Sequence, residues 1–497
     1  MLHQIVLEDE ITLWWTKDAF FRADNYKFYL DGKAYGEKDK THFTFAPLKP
    51  NTAYHVRIEA YKNDVLVAEK EREIVTKPAK NKIYITDEKY GAVGDKTTLN
   101  TTAIQKAFDD CTEKDVVVIP KGDFLTGALN VHSDMEVYLE EGAILRGSKD
   151  EKDYLPKIKS RFEGIENMSY RSLINMGELD SNGGYNCKNV VLRGKGCITG
   201  GGMNLHASII DAETERIKDT KEYKESYQEL SHSIRDYSIA WRVRGRLIHA
   251  CNTDALILSG LKLEYGPAWT VHPIYSRNVV TYNCHITSIH VNNGDGWDPD
   301  SSEDCVIFAA VFDTGDDCIA IKSGKNPEGN IINRPSRNIY AFDCRAISGH
   351  SGLGIGSEMS GGVDNVFAWD WDFSGGWFGV HIKGTKERGG YVRNVDVRDS
   401  KLSCIVVWHV DYNTDGESAK TAPVFENYRF EKVEINGIVH CGEPYFAKIK
   451  GFDNGDYAVK NVALKDVTFI NVDEKKALDF HNYKDITLEN VKYEIRI

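Results

Sequence analysis

The sequence contains no Cys-x-x-Cys pair, no cysteine–histidine grouping at zinc-ligand spacing and no apolar run longer than a strand. The first two absences exclude a zinc-ribbon protein, and ten cysteines in 497 residues are too sparse for a disulfide scaffold. They read as buried thiols of a cytosolic protein. The lack of a long apolar run excludes a membrane-spanning helix. The opening stretch MLHQIVLEDE has neither a charged n-region nor a sustained apolar core before Glu8, Asp9 and Glu10, so no signal peptide is expected. Basic charge is also in deficit: 62 Lys and Arg against 75 Asp and Glu leave a net charge of −13. That balance excludes nucleic acid and an anionic membrane as partners, and a polyanionic substrate would need a local basic patch. What is abundant is core material, 41% hydrophobic and 11% aromatic, so the chain is globular. Its length, about three times the ~150 residues of an average domain, predicts at least two units.

Residues 1–77 alternate apolar and polar positions in short runs, Ile11 to Trp15, Tyr26 to Leu30 and Tyr54 to Tyr61, separated by turn residues. This is the pattern of a small β-sandwich. The segment Leu48-Lys49-Pro50-Asn51-Thr52-Ala53-Tyr54-His55-Val56 resembles the fibronectin type III signature. The resemblance implies that the Tyr54 hydroxyl bonds to the preceding backbone, and that Trp14 or Trp15 fills the core. A polar, proline-marked stretch, Thr76 to Asn81, then reads as a linker to a second unit over 81–497. Near its start Ala103, Ile104, Ala107, Phe108 and Cys111 recur at helical spacing, predicting a helix from Thr101 to about Cys111 capped by Asn100.

A repeat follows. Asn or Asp precedes an alternating apolar run at Asn189, Asp254, Asn278, Asp304, Asn338, Asn365, Asn394, Asn461 and Asp485. Asp254 to Asn278 is 24 residues, Asn278 to Asp304 26, Asp304 to Asn338 34, Asn338 to Asn365 27 and Asn365 to Asn394 29. Strand-type alternation at that period indicates a solenoid of short parallel strands, here a right-handed parallel β-helix. The charged insertion from Ile209 to Ala240 reads as a solvated helical rim.

Carboxylates concentrate on the repeat at Asn293-Gly294-Asp295-Gly296-Trp297-Asp298-Pro299-Asp300 and Gly315-Asp316-Asp317-Cys318, and the 21 residues from Asp295 to Asp316 make about one coil. Side chains one coil apart lie roughly 4.8 Å from each other, so three carboxylates would crowd one groove. Like charges that close do not all ionise, and one acid beside one or two bases is what glycoside hydrolysis requires. The spacing does not fit an EF-hand loop, which closes on a glutamate.

Four segments in order, Asn293-Gly294-Asp295, Gly315-Asp316-Asp317-Cys318, Gly349-His350-Ser351-Gly352 and His381-Ile382-Lys383, resemble the motifs of glycoside hydrolase family 28, the polygalacturonases. Tyr90 to Asp95, Trp269-Thr270-Val271-His272-Pro273, Asp298 to Ser301, Ile355 to Gly362 and Arg388 to Tyr391 add likeness to its bacterial, exo-acting branch. The resemblance implies that Asp316 is the general acid, that Asp295 and Asp317 activate water, and that His350 supports the acid. It also implies inversion, with roughly 6.5–9.5 Å between acid and base. Substrate contacts are assigned to Lys383, His381, Lys322, Asn293, Trp297 and His272, and Trp269, Trp297 and Trp377 are candidate sugar platforms. Two positions depart from the pattern: Ser351 stands for a glycine, and His381 for an arginine whose fork would grip a uronate carboxylate.

The function expected is exo-hydrolysis of α-1,4-galacturonosyl linkages in oligogalacturonides, with no metal or cofactor. Another pectic linkage is the alternative, because of His381. A β-helix lyase would need calcium and a basic catalytic residue, and a non-catalytic β-helix would have no use for the aspartates. The sequence is silent on oligomeric state.

Overall fold

The computed structural model describes residues 2–17, 23–221, 223–224, 239–412, 416–440, 443–452 and 457–496. The chain forms two compact units, Met1–Lys82 and Ile83–Ile497.

The first unit has seven strands: β1 (Leu2–Val6), β2 (Ile11–Trp15), β3 (Asn25–Leu30), β4 (Lys33–Lys38), β5 (His42–Phe45), β6 (Ala53–Lys62) and β7 (Val65–Val75). They pair as two antiparallel sheets, β1-β2-β5 and β4-β3-β6-β7. Alternation along the strands turns Trp15, Phe28, Phe45 and Ile58 inward, each with at most 1% exposure. Trp15 is thus the core tryptophan, and Trp14 instead stacks on His3. The Tyr54 hydroxyl accepts a hydrogen bond from the Lys49 N–H at 2.9 Å.

In the second unit α1 (Thr101–Asp109) buries Ile104, Ala107 and Phe108. Asn100 precedes it but makes no side-chain cap. Its amide binds Val93 and the carbonyls of Thr98 and Leu125, so it ties the helix start to neighbouring turns. The helix α2 (Gly202–Ile217) includes the start of the expected rim insertion, and most of residues 218–240 lie outside the described residues.

The rest is a parallel β-helix. A 24-stranded sheet among the described residues and two shorter parallel sheets run along it, one of four strands and one of six. The repeat explains the stacking. The residue after each left-handed position forms one inward column, Val190, Leu256, Val279, Cys305, Ile339, Val366, Val395, Tyr428 and Val462, all buried. The Asn itself adopts left-handed φ, as at Asn278, Asn338, Asn365, Asn394 and Asn461. Asparagine tolerates that conformation because its side chain bonds locally. Each amide reaches its counterpart one coil back: Asn365 to Asn338 at 3.1 Å, Asn394 to Asn365 at 3.3 Å, Asn427 to Asn394 at 3.1 Å. Asn427, followed by Tyr428, is a further member of the ladder that the sequence repeat did not include. At Asp254 the left-handed residue is Ala255 instead. On another face Tyr282, Phe308, Phe342 and Trp369 stack ring on ring, one per coil, 4.4–5.1 Å apart.

Asn365→Ala removes two ladder contacts and leaves a Cβ in the left-handed region. It should lower stability by about 1–2 kcal/mol more than Asn365→Gly, which loses the contacts without the strain, as read by thermal unfolding.

Candidate active site

The two shorter sheets meet at residues 297–300, where regular ladders give way to single bridges: Val271 to Trp297 to Ile319, and Ile274 to Asp300 to Lys322. Here four coils converge. Asp295 enters the bridged segment, Asp316 and Asp317 precede strand Ile319–Ile321, Ser351–Ile355 follows directly on His350, and Phe378–Gly384 carries His381 and Lys383. Backbone bonds from Gly296 N–H to Asp317 O (2.9 Å) and from Cys318 N–H to Ser351 O (2.7 Å) hold the coils in register.

The carboxylates have different surroundings. Asp317 is buried, with 3% side-chain exposure, between Lys383 Nζ at 3.1 Å from Oδ2 and His350 Nδ1 at 3.1 Å from Oδ1. Burial alone would raise its pKa, but the Lys383 charge and the His350 hydrogen bond override it and hold the carboxyl well below the usual aspartate range. Asp316 is about a third exposed, with His350 Nδ1 at 3.9 Å. Loss of hydration and the neighbouring Asp317 charge raise its pKa. Asp295 is buried, and although Lys322 lies 3.3 Å from its Oδ2, burial and the two aspartates push it well up. One carboxyl is therefore held low while two neighbours are raised, the division of labour that acid–base chemistry needs. Gly354 makes this geometry possible: a Cβ there would sit 2.6 Å from Asp317 Oδ2.

Lys322 and Lys383 are both buried and both face carboxylates. Lys322 also lies over the Trp269 ring at 4.5 Å. Asn293 is held by its Oδ1, which accepts from Arg244 Nη2 (2.7 Å) and Trp241 Nε1 (2.9 Å). His381 is in the groove wall, its Nδ1 3.2 Å from Ser351 Oγ and its Nε2 2.9 Å from Trp408 Nε1.

Three assignments need correction. Trp297 has no exposed surface and packs within the coil core, because its position on the rung points inward beside Val271 and Ile319. His272 is likewise fully enclosed, 3.4 Å from Asp300 and 3.3 Å from Arg246 Nε. It lies beneath the site, out of reach of a sugar. Trp269 is covered by Phe162, stacked at 4.7 Å. Trp377, 55% exposed and 5.6 Å from His350, is the accessible ring. The expected wide acid–base gap does not lie between Asp316 and Asp317, which with His350 bring ligand atoms within 4.8 Å of one another. They are consecutive residues facing one groove, so room for water has to lie on the Asp295 side. The same three residues could hold a cation, but the Lys383 ammonium already stands against Asp317.

Sequence reasoning missed a supporting layer. The hairpin Ile158–Phe162 with Ile165–Ser169 packs over the junction. Its Arg161 pairs with Asp300 at 3.0 Å, both fully buried, Glu163 accepts from Arg242 at 2.7 Å, and Gly164 O receives the Lys325 N–H. Asp298 is buried with neither carboxyl oxygen hydrogen-bonded among the described residues. Nothing in the sequence marks the hairpin.

A parallel β-helix whose groove gathers aspartates with pKa values shifted in opposite directions, a histidine and two lysines is equipped as a glycoside hydrolase. Residues 110–442 match the family described as glycosyl hydrolases family 28, and the chain belongs to that family. It is 26% identical over 475 residues to an exo-poly-α-D-galacturonosidase from Dickeya chrysanthemi, covering 90% of this chain and 77% of that one. Its fold matches a family 28 exopolygalacturonase from Yersinia enterocolitica with a TM-score of 0.80 at 22% identity, over 100% of this chain and 98% of the other. A hyperthermoactive exopolygalacturonase from Thermotoga maritima gives 0.70 at 26% identity, over 83% and 92%.

Two outcomes are expected. Trp297→Ala should cost about 3–5 kcal/mol of stability, whereas Trp377→Ala should leave the thermal midpoint unchanged and raise KM. Burial first, then Asp295, raise the Asp298 pKa, so the native state binds its proton more tightly than the unfolded chain. That costs stability as pH climbs above the unfolded aspartate value near 3.9. Asp298→Asn should therefore raise the thermal midpoint at pH 7, with the gain shrinking toward pH 4.

Proposed function

We propose that the protein hydrolyses α-1,4-galacturonosyl linkages at the end of oligogalacturonide chains, with inversion and without a metal. The observation that carries the proposal is the pairing of a raised, accessible Asp316 with a buried, ionised Asp317 on adjacent residues. Asp316 protonates the glycosidic oxygen. Asp317 accepts a proton from the attacking water, which Asp295 holds from the neighbouring coil. His350 bridges acid and base, 3.9 Å and 3.1 Å from their carboxyls. Lys383 and Lys322, each with three donors, hold the two inner carboxylates and present the basic patch that an acidic protein needs for a uronate. Asn293 and Trp377 line the sugar path.

Exo action is supported by the names of the relatives in Dickeya and Thermotoga and by the hairpin 158–169. Its Arg161–Asp300 pair and Gly164–Lys325 contact wall the groove beside Lys322. The first unit, with sheets of three and four strands and its Tyr54 to Lys49 bond, we read as fibronectin type III-like. One observation favours a second reading. Both His381 nitrogens are engaged by Ser351 and Trp408, so no fork meets a carboxylate there, as suits a pectic linkage to a neutral or substituted sugar.

Product analysis of wild type and Asp316→Asn on tri-galacturonate and long polygalacturonate, with a chelator present, should give saturated monogalacturonate. The rate should fall at least 100-fold in the variant, and proton NMR should detect the β-anomer first. Unsaturated, chelator-sensitive products contradict the hydrolase. Turnover confined to other pectic fragments favours the second reading.

A further inference from the structure

The two positions that depart from the family pattern, Ser351 and His381, touch each other: Ser351 Oγ lies 3.2 Å from His381 Nδ1. Trp408, on the next coil, completes a line at 2.9 Å from His381 Nε2. Both His381 and Ser351 are at most 3% exposed, so water does not substitute for these partners.

The direction of the hydrogen bonds follows from what each group can do. An indole N–H only donates, so His381 Nε2 carries a lone pair and the single ring proton sits on Nδ1. That proton is donated to Ser351 Oγ. The serine hydrogen must then point elsewhere, and two acceptors are near: His350 Nδ1 at 3.3 Å, and the Asp317 carboxylate, whose Oδ1 lies 3.1 Å from that same nitrogen. His350 Nδ1 is itself the donor to Asp317 Oδ1 at 3.1 Å, which leaves the carboxylate. We infer that Trp408, His381 and Ser351 form a one-way donor relay ending on Asp317, a positioning device that holds the base carboxylate for the attacking water. Lys383 and His350 fix its two oxygens, and the relay adds a third donor from the side of the wall. Ser351 can pass its own hydrogen on to Asp317 only when its other neighbour donates to it, and His381 does so through the tautomer that Trp408 imposes. The two departures thus act as one unit. Trp408 is itself held, edge-on to Tyr445 at 5.7 Å and beneath Lys448 at 5.4 Å.

This inference rests on Asp317 being the base of the proposed reaction, and its test has one arm that needs no activity. In histidine-labelled protein, nitrogen NMR assigned with His381→Gln should place the His381 proton on Nδ1 in wild type, and in Trp408→Phe that preference should be lost. On tri-galacturonate, Ser351→Ala should lower kcat about tenfold, the worth of one hydrogen bond to a charged group, with KM within twofold. Trp408→Phe should act in the same direction, and the double variant should lose less than the product of the two. An Nε2-protonated His381, a Ser351→Ala kcat within twofold of wild type, or a loss confined to KM would overturn the relay. If wild type leaves galacturonate oligomers untouched, the functional reading fails, and the tautomer alone decides the relay's direction.

Discussion

The buried pair of Asp317 and Lys383 is the interaction on which the site depends. Taking two charges out of water is expensive, and such a pair persists only where geometry and further hydrogen bonds complete it. Here the β-helix supplies both. Lys383 lies two coils beyond Asp317, and Gly354 on the coil between them lacks the side chain that would separate the two. With the charge of Asp317 fixed, the rest follows electrostatically. Asp316 and Asp295 lie beside an anion in a poorly hydrated groove, which raises both pKa values, and against the cost of burial the charges of Asp295, Glu358 and Asp298 hold Lys322 protonated. Removing either member of the central pair strands the other, which makes this groove a place where stability and chemistry are set by the same contacts.

Much of the fold was legible because a solenoid repeats one solution. An Asn in left-handed conformation followed by an inward apolar residue recurs at nearly every coil, and that local pair is visible in sequence. The pattern failed where chemistry differed but geometry did not: Tyr428 fills an inward column of otherwise smaller side chains, and Ala255 takes the strained position beside Asp254. Asn100 failed in the opposite sense. It has a capping residue's identity and position, yet tertiary contacts with Val93 and Leu125 claim its side chain.

The site was legible in its charged residues and not in their surroundings. Asp295, Asp316, Asp317, His350 and Lys383 do converge, since one-coil spacing fixes which side chains stack. Whether a given residue on those coils looks outward depends on a single step of register, and Trp297 falls on the inward side. His272 points outward from its rung but is roofed by the 158–169 hairpin and its buried Arg161, brought from more than a hundred residues away. No periodicity in the sequence signals such a roof, nor the contact between Ser351 and His381.

The central claim is that Asp317 gives up its proton more readily than an ordinary aspartate while Asp316 beside it gives up its own less readily. Carbon NMR of aspartate-carboxyl-labelled protein, assigned with Asp317→Asn and Asp316→Asn, measures it directly as pH is varied. The account predicts that the Asp317 resonance stays at its ionised position as pH falls through the ordinary aspartate value near 3.9, and that the Asp316 resonance titrates above that value. An Asp317 that protonates at or above the ordinary value, or an Asp316 ionised throughout, would contradict it.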